Sequence, residues 1–174
     1  MTMTEMIRGA IEYNYGVAEK LIDLVGNHEL NWKPATGHNW MTTGQLLKHI
    51  SNSCGEPIKG FVTGDWGFPA GVDPSQLPPE EMMPPAEKLP AVLNVAEAKQ
   101  LLADDKKLAL EMLSRCSEER LTTEMSAAPW DKMGMPLGQR MLEMVQHINQ
   151  HKGQLFYYLK LQGKPVDTGH LWGM

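Results

Sequence analysis

Leu142-Glu143-Met144-Val145-Gln146-His147-Ile148-Asn149-Gln150-His151-Lys152-Gly153-Gln154-Leu155 is the stretch whose reading decides the fold of this chain. At about 100° per residue, Met141, Met144, Val145, Leu155 and Leu159 all lie within about 60° of Ile148, a stripe of helical period. His151 falls about 60° to one side of that stripe and His147 about 100° on the same side. Two imidazoles four residues apart share one helix face, one turn apart, close enough to grip a single divalent ion. They sit at the edge of the stripe, so an ion held there would lie at the mouth of a helical core.

Working outward, three more helical segments carry the same period. Residues 4–26 hold Ile7, Ile11, Ala18, Leu21 and Ile22 at spacings of three and four, with Gly26-Asn27 as a stop. Thr42-Thr43-Gly44-Gln45 reads as a capping box opening a second helix through Leu46, Leu47, His49 and Ile50. Gly55-Glu56-Pro57 kinks it, or opens a short extra turn ending near Val62, and it is finished by Gly64. Asn94, with Glu97 three residues on, caps a third helix reaching about Cys116. The fourth spans about 138–162 and stops at Gly163-Lys164-Pro165. Between the second and third lies a connector at 64–90 with seven prolines (Pro69, Pro74, Pro78, Pro79, Pro84, Pro85, Pro90). It is long enough to be a crossover. Neither an internal repeat nor a β-pattern of more than a few residues is visible. The expectation is one all-α domain over residues 1–174, a four-helix bundle with a long crossover.

His49, on the second helix, is the third member of the constellation. If the second and fourth helices are neighbours, His49, His147 and His151 form a three-imidazole set that leaves coordination positions for water or substrate, as catalytic sites do. Zinc, nickel, iron(II), manganese and cobalt all accept imidazole, so the ligand type does not choose the metal. A histidine at the edge of a core is more often a hydrogen-bonded packing residue, and that reading stays open. His28, His38 and His170 fall in connectors or the tail and read as ordinary. Glu143 and Gln154 lie near the pair and could each orient an imidazole, and Tyr13 and Asn14 could reach a pocket or pack. Cys54, about 140° around from His49, is not expected at a metal. Asp104-Asp105-Lys106-Lys107 reads as a solvated helix face.

The capped helix with Leu46-Leu47-Lys48-His49-Ile50, the later His147-Ile148-Asn149-Gln150-His151-Lys152-Gly153-Gln154-Leu155 and the tail Leu161-Gln162-Gly163-Lys164-Pro165 together resemble the DinB-like superfamily. The resemblance spans most of the chain. It implies an up-up-down-down bundle, a divalent metal on His49, His147 and His151, and frequent homodimers. It also implies chemistry on low-molecular-weight thiols in some members. Lys152 stands where an arginine is common, which keeps the charge and loses the planar fork.

Composition narrows the class of function. The 174 residues carry a net charge of −5 with scattered basic residues, which argues against a nucleic-acid partner. No run approaches the ~18 apolar residues of a membrane span, and the polar, acidic N-terminus does not read as a secretory signal. Two cysteines, Cys54 and Cys116, make neither a disulfide framework nor a cysteine zinc site, so a reducing cytoplasm is expected. Thirteen methionines and five tryptophans are conspicuous. Trp32, Trp40, Trp66 and Trp130 either pack loops on the bundle end or line a pocket mouth. The leading expectation is a metal-dependent enzyme acting on a small molecule, by transfer of a small thiol or by hydrolysis. The rival is a non-catalytic metal-binding or dimerising stress or interaction protein.

Overall fold

The structure, a computed structural model, describes residues 1–69, 71–72 and 76–174. Of the seven connector prolines, Pro74 lies outside the described residues. The fold is mostly helical. Helix α1 spans Met3–Ile22, opened by a capping box between Thr2 and Glu5. Helix α2 is Thr43–Ile50 and α3 is Gly55–Thr63; the one-turn α4 is Pro79–Met82 and α5 is Val95–Ser114. The short α6, Glu118–Thr123, leads into a hairpin of β1, Met125–Ala128, and β2, Asp131–Pro136. Helix α7, Leu137–Leu161, comes directly after it, and α8 is Thr168–Trp172.

The capping box at Thr42 forms as the sequence indicates. The Gln45 backbone amide donates to Thr42 Oγ1 at 3.2 Å, and Gln45 Oε1 accepts from the Thr42 amide at 2.7 Å. Beyond the cap, the chain builds two helices rather than one kinked helix. It leaves α2 at Ser51 and restarts at Gly55, with Pro57 in the first turn of α3, where a missing N–H costs no helical bond. The new start needs a cap, and Cys54 supplies none from its side chain. Asp105 of α5 supplies it from across the core. Its carboxylate accepts from the amides of Gly55 (3.0 Å), Glu56 (3.0 Å) and Cys54 (3.4 Å), and from the Tyr15 hydroxyl at 2.6 Å. Asp105 is 5% exposed, so it does not belong to the solvated face its neighbours Asp104 and Lys107 occupy. Gly55 is required here, because a Cβ at that position would collide with the Asp105 carbonyl.

The core runs through all the long helices, with Ile7, Ile11, Leu46, Ile50, Ile58, Leu113, Ile148 and Leu159 fully buried. Helix α1 packs on α5 and α7, and α2 and α3 pack on the same two. This brings the His49 face of α2 against the His147 face of α7. The hairpin departs from the all-helical expectation. Its strands of four and six residues pair antiparallel (Met125 with Pro136, Ala128 with Asp131) with an irregularity between Ser126 and Ala128. Arg140 of α7, 3% exposed, pins it: the guanidinium donates to the carbonyls of Ser126 and Met133 and pairs with Asp131 and Glu143 at 2.9 Å each. Helix α8 folds back onto α1, where the Tyr13 hydroxyl donates to the Trp172 carbonyl at 3.1 Å. Among the described residues, no helix is long and apolar enough to cross a membrane.

Candidate metal centre

His49 enters the site from the last turn of α2, and His147 and His151 enter from successive turns of α7. Their Nε2 atoms converge: His49 lies 3.2 Å from His147 and 3.1 Å from His151, and all three fall within 4.8 Å of one another. The outer ring nitrogens of the α7 pair are held by acceptors. His147 Nδ1 donates to the Ser53 carbonyl at 3.1 Å and His151 Nδ1 to Gln154 Oε1 at 3.0 Å. A proton fixed on Nδ1 leaves Nε2 as a bare lone pair in the neutral ring. Two lone pairs therefore aim at His49, whose own Nε2–H can serve one of them at a time. One cation would serve all three.

The spacing suits that cation. With metal–nitrogen bonds of about 2.0–2.1 Å, two imidazoles on one ion stand about 2.9 Å apart at a right angle and about 3.4 Å apart at the tetrahedral angle. The observed 3.1 and 3.2 Å fall between. Burial, with the neighbouring rings, holds the set neutral, as metal binding requires. Burial is the first cause pushing the His49 imidazole down to about 4, with His151 and then His147 adding to it. Burial likewise lowers His147 and His151, against the hydrogen bonds to Ser53 and Gln154. The residues present fit a divalent ion.

Support for the rings extends further. Gln154 donates to the Tyr158 hydroxyl at 3.3 Å, and that hydroxyl donates to the Met41 carbonyl at 2.9 Å. The rings of Trp32 and Trp40 stand edge-on to Tyr158 at 5.1 and 6.3 Å, so these two tryptophans pack the network. Trp66 packs on Phe61 and Trp130, and Trp130 also lines a cavity. That cavity, about 710 Å³, is lined by His49 and His147 together with Met82, Met144, Leu89 and Trp130 among others.

The structure sends several candidates of the sequence elsewhere. Gln154 holds His151, whereas Glu143 is engaged by Arg140. Tyr13 lies under the Lys152 ammonium, 5.3 Å from the ring centroid, and Asn14 donates back to the Ala10 carbonyl at 2.9 Å, so both pack on the α1 side. Cys54 is buried beside Asp105, outside the histidine cluster. His28 and His170 are bound up with Glu29 and Asp167. The Ser53 carbonyl is a site group that the sequence does not show, since a backbone acceptor leaves no mark in residue type.

The sequence profile of the DinB superfamily matches residues 10–155. The chain belongs to the DinB superfamily. Among solved structures, a DinB-like protein from Bacillus cereus ATCC 10987 superposes with a TM-score of 0.66 at 20% identity. The match covers 94% of this chain and 95% of that one, and at that identity it shows the DinB-like fold alone. No curated protein sequence matches the chain. Within this DinB superfamily member, the three histidines lie inside the matched span, on two helices that the fold sets side by side.

Proposed function

We propose that this chain is a metal-dependent enzyme in which His49, His147 and His151 hold one divalent transition metal, zinc, nickel, iron or manganese, beside a substrate cavity. The observation that carries this reading is the convergence of three Nε2 atoms, with His147 and His151 at 3.2 and 3.1 Å from His49, where His49 and His147 line a cavity large enough for a small molecule. When bound, the ion supplies Lewis-acid chemistry toward a ligating substrate atom. The chain's own residues do the rest. Ser53 and Gln154 fix the tautomers that present lone pairs, and the three neutral rings leave the ion's positive charge uncompensated, so an anionic ligand such as a small thiolate is favoured. The reaction we assign is transfer involving a low-molecular-weight thiol, or hydrolysis. The thiol reading draws on the superfamily resemblance and the hydrolysis reading on the ligand set.

The packing of α1, α2 with α3, α5 and α7 in a ring of neighbours supports a four-helix bundle, and its up-up-down-down order is drawn from the superfamily resemblance. Tyr157 and Leu161, 62% and 65% exposed on α7, support a homodimer contact. A non-catalytic metal-binding or dimerising protein is the competing assignment. Metal content decides the first step. Mass spectrometry of protein purified without a metal-affinity tag should find about one transition metal per chain in the wild type and none in His147→Ala. Equal metal in both would remove the site. Activity that disappears on chelation and returns with metal would then separate enzyme from scaffold.

A further inference from the structure

The cavity beside the histidines has a chemical character of its own. Among the described residues, its lining includes no acid, lysine or arginine. Met144 of α7 and Met82 and Met83 of the crossover face it, with Leu89 and the indole of Trp130. Its polar groups are two histidines, the Asn39 and Asn52 amides and Ser53. A smaller cavity of about 190 Å³ adjoins it, sharing Asn52, Pro57, Met82 and Trp130 and adding Trp66 and Phe68. The one charged side chain among the described residues there is Glu56, an acid.

The charge of this lining selects against a ligand with anionic groups on its body. Away from the histidine end, a carboxylate or phosphate would leave water for a space with no lysine or arginine among its described lining to pair with it, and Glu56 of the adjoining cavity would repel it. Methionine and indole favour the reverse: an apolar body, with flat rings against Trp130 and flexible thioethers closing around it. The lining is also drawn from two parts of the chain. Met144 stands on the long helix, whereas Met82 and Met83 come from the proline-rich crossover, so the crossover sets which bodies fit.

Resting on the metal-site reading for where the reactive end lies, we propose that this cavity binds a small molecule with an uncharged, apolar, ring-bearing body, and that the crossover methionines select it. The volume of about 710 Å³ lies in the range of drug-sized ligand sites. The amides of Asn39 and Asn52 orient the body, and the histidine end receives its reactive group.

The test uses chelated, metal-free full-length protein and two naphthalene dyes of similar size: a neutral dimethylamino ketone and an anionic anilinosulfonate. The neutral dye is expected to bind one per chain with blue-shifted emission, at least tenfold more tightly than the sulfonate. Met144→Glu and Met82→Glu should each weaken it at least tenfold. Met82→Glu lies on the crossover outside the helical core, so it decides the matter where Met144→Glu fails to fold. Equal or tighter sulfonate binding, no neutral-dye binding, or full retention of the dye in a folded variant would overturn the proposal. Zinc titration of the same preparations keeps the two readings apart. Dye bound without zinc binding overturns the metal site and leaves the cavity assignment standing, and zinc bound without dye does the opposite.

Discussion

At the scale of single residues, the candidate centre depends on a side chain that stands behind its histidines. Gln154→Ala removes the acceptor that keeps the proton on His151 Nδ1, and the ring is then free to turn or to change tautomer. Loss of such a partner lowers metal affinity by ~10- to 100-fold, so zinc titration should show a drop of that size with helicity unchanged. An unaltered affinity would mean that packing alone orients the ring. The histidines also set a pH dependence. In the folded chain His49 is held down to about 4, first by burial and then by its two neighbours, whereas an exposed imidazole titrates near 6.5. Between those values the unfolded chain takes up a proton that the folded chain refuses, so unfolding gains as pH falls. The metal-free protein should therefore lose melting temperature steadily from about pH 6.5 to about pH 4. Bound zinc should hold it up until protons displace the ion. A melting temperature flat across that window would show the rings to be solvated.

At the scale of elements, the join between α2 and α3 is the decisive construction. It lets the chain deliver His49 from one helix and, three residues after that helix ends, the Ser53 carbonyl from the turn. Asp105 holds the restart, accepting three backbone amides and a tyrosine hydroxyl in the core. Asp105→Ala would leave those donors unpaired, and hydrogen bonds to a charged group are worth about 1.5–3 kcal/mol each in the larger cases. A loss of about 3 kcal/mol or more in urea unfolding is expected, with Tyr15→Phe losing about 1 kcal/mol. Similar losses for the two would assign the stability to the tyrosine bond alone. The sequence holds the signal for Asp105 but hides it. Ala98, Leu102, Asp105, Ala109 and Met112 recur at spacings of three and four, so Asp105 lies on the buried stripe. The charged run around it masks that position. The split at Ser51 is written in Gly55 and Pro57, and an N-terminal proline points to a new start as readily as to a kink. The helices and the His147, His151 pair are readable because periodicity and spacing are local, whereas His49 joins that pair only because the fold sets α2 beside α7. The hairpin is not readable, because Arg140 anchors it through backbone carbonyls and Asp131, contacts that only the tertiary fold creates.

At the scale of the molecule, the crossover must be held over the cavity although it has almost no regular structure of its own. The hold lies at the start of α2. Gln45, already closing the capping box with its oxygen, donates its amide nitrogen to the carbonyls of Glu87 and Leu89 at 3.0 and 2.7 Å. The Val92 amide donates to the Gly44 carbonyl at 3.1 Å, and the Glu87 carboxylate accepts from the Asn39 amide at 3.2 Å. One side chain thus fixes both the helix that carries His49 and the wall of the cavity beside it. Gln45→Glu keeps an acceptor for the Thr42 amide but loses the two donors to the crossover. Global stability should then change by only ~1 kcal/mol, because the cap survives and the core is untouched. The backbone amides of the one-turn helix at Pro79–Met82 and of the segment through Leu89 should exchange faster, and a chelator should strip the ion faster for the same equilibrium affinity. Hydrogen exchange and stopped-flow chelation on the zinc-loaded protein measure both. If exchange in 79–89 stays at the wild-type rate while the ion leaves faster, the crossover is held by its own packing and Gln45 acts on the metal through α2 alone.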